Sequence, residues 1–141
     1  MRELAANNIF IDTNVLIGAF AGIAKDEKCF RYLCSVKGKR LYASSLSIAQ
    51  LVSVFQKKKT NDEIRDIVGQ IMHKINILNF YADDIKAAIA EDGADIEDSI
   101  QYVNAKKMKC LVFVTNNLKD YRVFSDIVPT PPAKISTIVK P

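Results

Sequence analysis

The sequence predicts an α/β fold, a three-layer sandwich in which a mostly parallel central sheet of about four or five strands is flanked by helices. Short apolar runs, typical of strands buried on both faces, alternate with longer segments in which apolar residues recur at helical spacing. The segments between successive runs are long enough for the crossover helices that join parallel strands. The chain of 141 residues has no internal repeat or linker, so we expect a single domain over residues 1–141.

The predicted strands are short runs rich in β-branched and aromatic residues. The clearest are Asn8-Ile-Phe-Ile-Asp12, which ends in polar residues, and the apolar run Cys110-Leu-Val-Phe-Val-Thr115. Pro129-Thr-Pro-Pro132 is expected to break the structure before a last strand at Ile135 to Val139. In chain order, strands are predicted at residues 8–12, 41–43, 75–78, 110–115 and 135–139.

The predicted helices occupy the amphipathic segments between these strands. Ser44 or Ser45 is expected to cap the third helix, and Asn61 or Asp62 to begin the fourth. Gly93 is expected to stop the helix that begins at residue 83. In chain order, helices are predicted at residues 15–21, 26–36, 44–56, 61–72, 83–91 and 95–107.

Composition excludes several classes of protein. Hydrophobic residues make up 49% and charged residues 26%, which is ordinary globular usage and argues against intrinsic disorder. The 3 cysteines form no CxxC pair and the chain has 1 histidine, so neither a disulfide framework nor a zinc site is expected. The apolar stretch near the N-terminus is interrupted by Asp12 and polar neighbours. We therefore expect no membrane span or signal peptide, and a cytoplasmic location.

Polar residues follow the two clearest strands, and parallel sheets collect functional groups beyond the carboxyl ends of their strands. Asp12 ends the first strand, and Thr115-Asn-Asn117 ends the fourth. Asp12 can cap the next helix, but Thr13 and Asn14 can do so as well. We therefore interpret Asp12 as a functional residue.

A second acidic group lies at the start of the last long helix. Asp95 and Asp98 are three residues apart, so we expect both on one helix face, although Asp95 can also be the N-cap. Glu97 is predicted to face solvent. Clustered carboxylates repel one another unless a cation lies between them, and oxygen ligands favour Mg²⁺ or Mn²⁺. The sequence thus predicts a metal site suited to phosphodiester hydrolysis.

These residues resemble the PIN-domain family of metal-dependent ribonucleases, which includes many toxins of bacterial toxin–antitoxin pairs. The resemblance extends from Ile9 to about Tyr121. It is carried, in order, by Ile9-Phe-Ile-Asp-Thr-Asn-Val-Leu-Ile17, Ser44-Ser-Leu-Ser-Ile-Ala-Gln-Leu51, Asp95-Ile-Glu-Asp-Ser-Ile-Gln101 and Val114-Thr-Asn-Asn-Leu-Lys-Asp-Tyr121. It implies a PIN-like fold and a Mg²⁺-dependent endoribonuclease, with RNA as substrate, an antitoxin protein as partner and a homodimer.

The resemblance also implies roles for single residues. By position, Asp12 and Asp98 match the main metal-binding aspartates, and Asp95 matches an accessory acid. Asn14 and Thr115 are expected to support the site. Two further candidates for the catalytic set, expected to orient water or bind through it, are Asn117 and Gln50.

Gln50 departs from the family pattern, because a glutamate is expected there. Glutamine keeps an oxygen acceptor but loses a negative charge, so Mg²⁺ is expected to bind more weakly. Asn117 likewise stands where the family usually has its fourth acid, although asparagine is common there in similar sequences. One alternative therefore stays open, a degenerate, weakly active or inactive PIN domain that binds RNA or protein. A phosphatase with Asp12 as nucleophile is disfavoured because Asn14 stands where that chemistry usually has a second aspartate.

The charges are unevenly distributed along the chain. The 20 Lys+Arg and 16 Asp+Glu give a net charge of +4, yet residues 83–98 hold seven acids against the single base Lys86. Basic residues gather before the second strand and after the third helix, where each can be a solvated end of an element. Together they can hold an RNA backbone. The candidate RNA contacts are Lys39, Arg40, Lys57, Lys58 and Lys59.

Overall fold

A computed structural model describes residues 7–141 and contains a five-stranded sheet in which every strand pairing is parallel. The domain predicted to begin at residue 1 therefore has six residues outside the described part. In chain order the elements are β1 Asn8–Ile11, α1 Thr13–Phe20, α2 Ala24–Ser35, β2 Arg40–Ser44, α3 Ser45–Phe55, α4 Asn61–Lys74, β3 Asn76–Leu78, α5 Ala82–Ile89, α6 Ile96–Lys107, β4 Val112–Val114, α7 Leu118–Tyr121, β5 Val128–Thr130, a 3₁₀ turn Pro132–Lys134 and α8 Ile135–Ile138.

The strand order is β3-β2-β1-β4-β5, which places β1 at the centre of the sheet. Ile9 of β1 pairs with Leu41 of β2 on one side and with Val112 of β4 on the other. A strand covered on both faces buries every side chain, which explains the unbroken apolar run Ile9-Phe-Ile11. The predicted α/β fold with a parallel central sheet is confirmed.

Successive side chains of β1 enter different cores, because side chains alternate across a strand. Ile9 and Ile11 pack into the core formed with α1 to α4. Phe10 points into the core formed with α5, α6 and α7, where its ring stacks on Phe113 at 5.1 Å. Helices therefore cover both faces of the sheet, and the carboxyl ends of the strands open between the two layers.

The segment after β4 differs from the prediction, because strand β5, Val128–Thr130, overlaps the expected break at Pro129-Thr-Pro-Pro132. The Val128 amide donates to the Leu111 carbonyl (2.7 Å), and the Thr115 amide donates to the Thr130 carbonyl (3.0 Å). The alternate residue, Pro129, lies between these two and turns its nitrogen away from β4. An edge strand tolerates proline there because no ladder hydrogen bond is lost.

The predicted last strand at Ile135 to Val139 is wrong, because this segment follows a 3₁₀ turn and forms α8. Ile135 and Val139 are both buried and are four residues apart, which is helical spacing.

Gly93 has a positive φ of 85°, but α5 already ends at Ile89. Gly93 therefore shapes the loop to α6 and is not the predicted helix stop. None of the helices within residues 7–141 is long and apolar enough to span a membrane.

Candidate active site

A cleft of about 580 Å³ opens beyond the carboxyl end of β1. Its walls come from the start of α1, the middle of α3, α6 and the turn after β4. Four residues that the sequence analysis singled out lie in its lining: Asp12, Asn14, Gln50 and Asn117. The lining also includes Gln101, which the sequence analysis did not select.

Asp12 lies at the floor of this cleft and is 5% exposed. Its Oδ1 accepts hydrogen bonds from the Thr13 amide (2.8 Å) and Gln101 Nε2 (3.3 Å). Its Oδ2 accepts from Asn14 Nδ2 (2.9 Å) and Thr115 Oγ1 (2.8 Å). Asp12 is thus the N-cap of α1, the structural role that the sequence analysis ranked second. Burial raises the pKa of Asp12, although the four hydrogen bonds act in the opposite direction.

Asp98 lies half-buried in the first turn of α6. Its Oδ1 accepts a hydrogen bond from the Tyr121 hydroxyl (3.1 Å). Burial raises the pKa of Asp98 to about 6; the bond from Tyr121 opposes this rise, and the negative charges of Asp95, Asp12 and Asp120 reinforce it. The site therefore disfavours negative charge on Asp98 unless a cation compensates for it.

Tyr121 belongs to the acidic centre, a position that was not predicted from the sequence. Its ring is fully buried against Phe113 (centroids 4.3 Å apart), and its hydroxyl reaches the acidic centre. Burial and the negative charges of Asp12 and Asp98 raise the pKa of the Tyr121 phenol, so it stays a hydrogen-bond donor. Tyr121 therefore orients the Asp98 carboxylate.

Asp95 is the N-cap of α6, one of the two roles expected for it. Its Oδ1 accepts a hydrogen bond from the Asp98 amide (2.8 Å), so one of its oxygens is engaged in the cap. Within residues 7–141, no three carboxylate, thiol or imidazole side chains are close enough together to hold a metal ion. Asp12, Asp95 and Asp98 therefore do not form a ready-made three-carboxylate ligand set.

Gln50 connects three helices across the cleft. Its Oε1 accepts from Thr13 Oγ1 on α1 (2.7 Å), and its Nε2 donates to Glu97 Oε2 on α6 (2.7 Å). Both ends of the amide are thus engaged. Glu97 is exposed, as predicted, but its carboxylate is fixed against Gln50 and does not point freely into solvent.

Gln101 lies one turn after Asp98 and is 3% exposed. Its Nε2 donates to Ser47 Oγ (2.8 Å) and Thr13 Oγ1 (3.1 Å), in addition to Asp12. Its Oε1 is buried and has no hydrogen-bond partner within the described residues. The spacing of three from Asp98 was the available sequence signal, since residues i and i+3 share a helix face.

The turn after β4 completes the floor of the cleft. Thr115 is buried and its Oγ1 accepts from the Asn117 amide (2.9 Å) while it donates to Asp12. Asn14 Oδ1 accepts from the Asn116 amide (3.0 Å). Thr115 and Asn14 thus fix both Asp12 and the turn, and Asn117 is left exposed at the cleft wall.

A second buried acid, Asp26 of α2, supports this turn. It is 3% exposed and accepts from Asn116 Nδ2 (3.0 Å). Lys25 Nζ lies 3.6 Å from Asp26 and donates to Asn116 Oδ1. A Cβ on Gly18 would lie 1.8 Å from Asp26 Oδ2, so only glycine leaves room for this carboxylate. The sequence shows Asp26 as an ordinary acid in the first turn of a helix, which gave no signal of burial.

The candidate RNA contacts lie at different edges of the sheet. Arg40 pairs with Asn8 at the start of the strands, and Lys39 Nζ donates to Asn7 Oδ1 (2.7 Å). Lys39 and Arg40 are therefore at the amino edge, opposite Asp12. The segment 57–59 follows α3, about two helical turns after Gln50. Lys57 and Lys58 are exposed, and Lys59 Nζ lies 5.4 Å from the Phe55 ring centroid.

The chain belongs to the PIN domain family, because the model of that family matches residues 9–125. The match spans β1 to α7 and includes the cleft described above. The chain is also similar to a curated relative, "Ribonuclease VapC1" of Aquifex aeolicus (strain VF5), with 26% identity over 136 residues. That alignment covers 89% of this chain and 92% of the relative.

Two solved structures share the fold. A "Toxin-antitoxin complex from Klebsiella pneumoniae" superposes with a TM-score of 0.68 and 19% identity, over 85% of this chain and 95% of that one. VapBC2 from Rickettsia felis, bound to a DNA fragment from its promoter, gives a TM-score of 0.65 and 16% identity, over 88% and 98% of the two chains. At these identities the likeness establishes the fold.

Proposed function

We propose that this protein is a Mg²⁺-dependent endoribonuclease and the toxin component of a toxin–antitoxin pair. The observation that carries the proposal is the presence of the buried Asp12 and the half-buried Asp98 at the carboxyl edge of a PIN fold. Both carboxylates have raised pKa values, so the centre favours a bound cation. The likeness to a curated ribonuclease supports the same reaction.

The donor set fits a magnesium ion. In sites that process phosphates, Mg²⁺ is usually held by one or two carboxylates, waters and the substrate phosphate. Asp12 and Asp98 would provide the carboxylates. Gln101, whose Nε2 contacts Asp12, has a buried neutral oxygen, Oε1, with no partner among the described residues, and Asn117 offers another neutral oxygen at the cleft wall. When bound, Mg²⁺ lowers the pKa of a coordinated water and neutralises charge on a scissile phosphate.

The surrounding residues prepare the two carboxylates for this task. Four donors hold Asp12 in one orientation, and the Tyr121 hydroxyl holds Asp98. Such preorganisation reduces the rearrangement needed when ligand binds. Asp95 is proposed as an accessory acid that stabilises the start of α6 and adds negative charge beside Asp98. Both ends of the Gln50 amide already make hydrogen bonds, which favours a role in bridging the helices over direct binding of the metal ion.

The proposed partners are inferred from the proteins to which this chain is similar. The structural relatives are toxin–antitoxin complexes, so we propose an antitoxin protein as partner. A homodimer and a cytoplasmic location also belong to this proposal. RNA is the proposed substrate, with Lys57 to Lys59 on the α3 side of the cleft as backbone contacts. Lys25, which is anchored beside the turn after β4, is a further candidate.

The proposal is tested by incubating the purified protein with single-stranded RNA in the presence of Mg²⁺, Mn²⁺ or EDTA. We expect cleavage with either metal and none with EDTA. Asp12→Asn should lower the rate at least about 100-fold, because it removes charge at the centre. Asp62→Asn makes the same chemical change on the exposed start of α4 and should leave the rate unchanged. Equal rates for Asp12→Asn and the wild type would contradict the proposal.

The alternative, an inactive PIN domain that binds RNA or protein, is favoured by the neutral residues Gln50 and Asn117. It predicts RNA or partner binding without metal-dependent cleavage, even after Gln50→Glu. Cleavage by the wild type, or cleavage recovered by Gln50→Glu, would rule this alternative out.

A further inference from the structure

Gln50 does not offer a free oxygen to the cleft. Its carbonyl accepts from the Thr13 hydroxyl at 2.7 Å, and its amide nitrogen donates to Glu97 at 2.7 Å. An amide nitrogen cannot ligate a cation, and here it holds a carboxylate in place. Gln50 therefore positions the Glu97 carboxylate through this hydrogen bond.

Glu97 lies next to Asp98 in the first turn of α6. Solvent reaches its side chain, so its negative charge costs little to maintain. The contact with Gln50 fixes this charge on the side of the cleft that α3 forms. Free rotation of an exposed glutamate would otherwise spread the charge over many positions.

We propose that Glu97 supplies from α6 the negative charge that Gln50 does not supply from α3, and that it thereby strengthens divalent-cation binding at the Asp12–Asp98 centre. This inference rests on the proposed metal-dependent function. It assigns Gln50 a positioning role and adds Glu97 to Asp12, Asp98 and Asp95 as an acidic contributor to the centre.

A second observation points to a ligand at the same place. Gln101 is 3% exposed, lines the cleft beside Asp12, and has a buried Oε1 without a partner within the described residues. A buried acceptor is normally satisfied, and a cation or its water satisfies an oxygen. The side chain whose Nε2 contacts Asp12 thus carries a buried oxygen that has no partner among residues 7–141.

Glu97 acts through its charge and not as a direct ligand. No three acidic, thiol or imidazole side chains in the described chain can reach one ion together. A charge several ångströms away still attracts a divalent cation where the dielectric constant is below that of water. The effect on affinity is therefore expected to be moderate and to weaken as salt is added.

The test is calorimetric titration of the full-length protein with Mg²⁺, and with Mn²⁺ as a second probe, at low ionic strength. Glu97→Gln keeps the shape and the contact with Gln50 but removes the charge. We expect it to weaken metal binding about three- to tenfold. The charge-swapped double variant Gln50→Glu/Glu97→Gln moves the carboxylate to α3 and keeps a donor–acceptor pair. It should return the affinity to within about twofold of the wild type.

Glu91→Gln is the matched control, because it removes an equal charge from the same acidic segment, just after α5. It should change the affinity less than about twofold. An unchanged affinity for Glu97→Gln, or a charge-swapped variant as weak as Glu97→Gln, would overturn the inference. No measurable metal binding by the wild type would overturn it as well.

A parallel cleavage assay separates this inference from the proposed function. If the wild type binds metal and Glu97→Gln weakens binding, but no RNA is cleaved, the nuclease proposal fails and the inference stands. If RNA is cleaved in a metal-dependent manner and Glu97→Gln binds metal like the wild type, only the inference fails.

Discussion

The burial of Asp98 makes the stability of the metal-free protein depend on pH. Its pKa is raised from 3.8 to about 6 by burial, reinforced by neighbouring acids. A carboxyl group with a raised pKa stabilises the fold in its neutral form. For the metal-free protein, this stabilisation is fully present below pH 3.8 and is lost as the pH rises through about 6.

We therefore predict that Asp98→Asn stabilises the metal-free protein more at pH 7.5 than at pH 4. The asparagine oxygen still accepts from the Tyr121 hydroxyl, so the change isolates the charge. Thermal unfolding in EDTA measures the effect as the rise in Tm at each pH. An equal rise at the two pH values would show that Asp98 does not titrate in this range.

The individual residues of the site were predictable only where local position defines them. Asp12 directly follows a strand, and Asp98 lies in the first turn of a helix. Carboxylates at these two positions indicate a metal site. The contacts of Gln101 and Glu97 are recognisable only when α6 is seen against α1 and α3, because their partners are 47 to 89 residues away; the spacing of Gln101 from Asp98 indicates only a shared helix face. The sequence pattern holds no record of such long-range contacts.

Among the elements, α1 and α2 are in close contact near the site. Gly18 of α1 faces Asp26 of α2, and a side chain there would overlap the carboxylate. Asp26 in turn holds Asn116 beside the cleft. The fit between these two helices therefore determines the position of the turn after β4.

We predict that Gly18→Ala destabilises the protein by about 1–3 kcal/mol, the usual cost of overpacking a well-filled site. Gly69→Ala on the exposed face of α4 meets no atom within 4 Å and should be neutral or stabilise by up to about 1 kcal/mol. Urea unfolding of both variants measures these free energies. Equal stability of Gly18→Ala and the wild type would contradict the packing described for Asp26.

Helices and strands were predictable from the sequence where the apolar pattern extended over many residues or fitted only one kind of element. The run before Asp12 and the helices α3, α4 and α6 have clear apolar periodicity, and their predicted bounds agree closely with the structure. The segment Ile135 to Val139 is short, and its apolar residues fit both alternation and helical spacing. Tertiary burial of Ile135 and Val139 on one side selects the helix.

At the scale of the whole molecule, the candidate RNA contacts form two groups on different sides of the parallel sheet. Lys39 and Arg40 lie at the amino ends of the strands, while Lys57 follows the helix that forms a wall of the cleft. A phosphate backbone that crosses the acidic centre can contact the second group more easily than the first.

We predict a difference in the salt dependence of RNA binding. In an Asp12→Asn background, Lys57→Gln should reduce the slope of log K against log salt by about 0.7, the value for one lost contact with single-stranded nucleic acid. Lys39→Gln removes the same charge at the opposite edge and should leave the slope unchanged. Fluorescence anisotropy at four salt concentrations measures both slopes. A larger change for Lys39→Gln would place the RNA at the other edge of the sheet.

The central claim is that Asp12 and Asp98 form a metal-dependent nuclease centre on a PIN fold. Single-turnover cleavage of a fluorescent single-stranded RNA, titrated with Mg²⁺ for the wild type and Asp98→Asn, tests it most directly. We expect the wild-type rate to rise with Mg²⁺ to a plateau and Asp98→Asn to stay at least about 100-fold slower at every concentration. A rate independent of Mg²⁺, or equal rates for the two proteins, would contradict it.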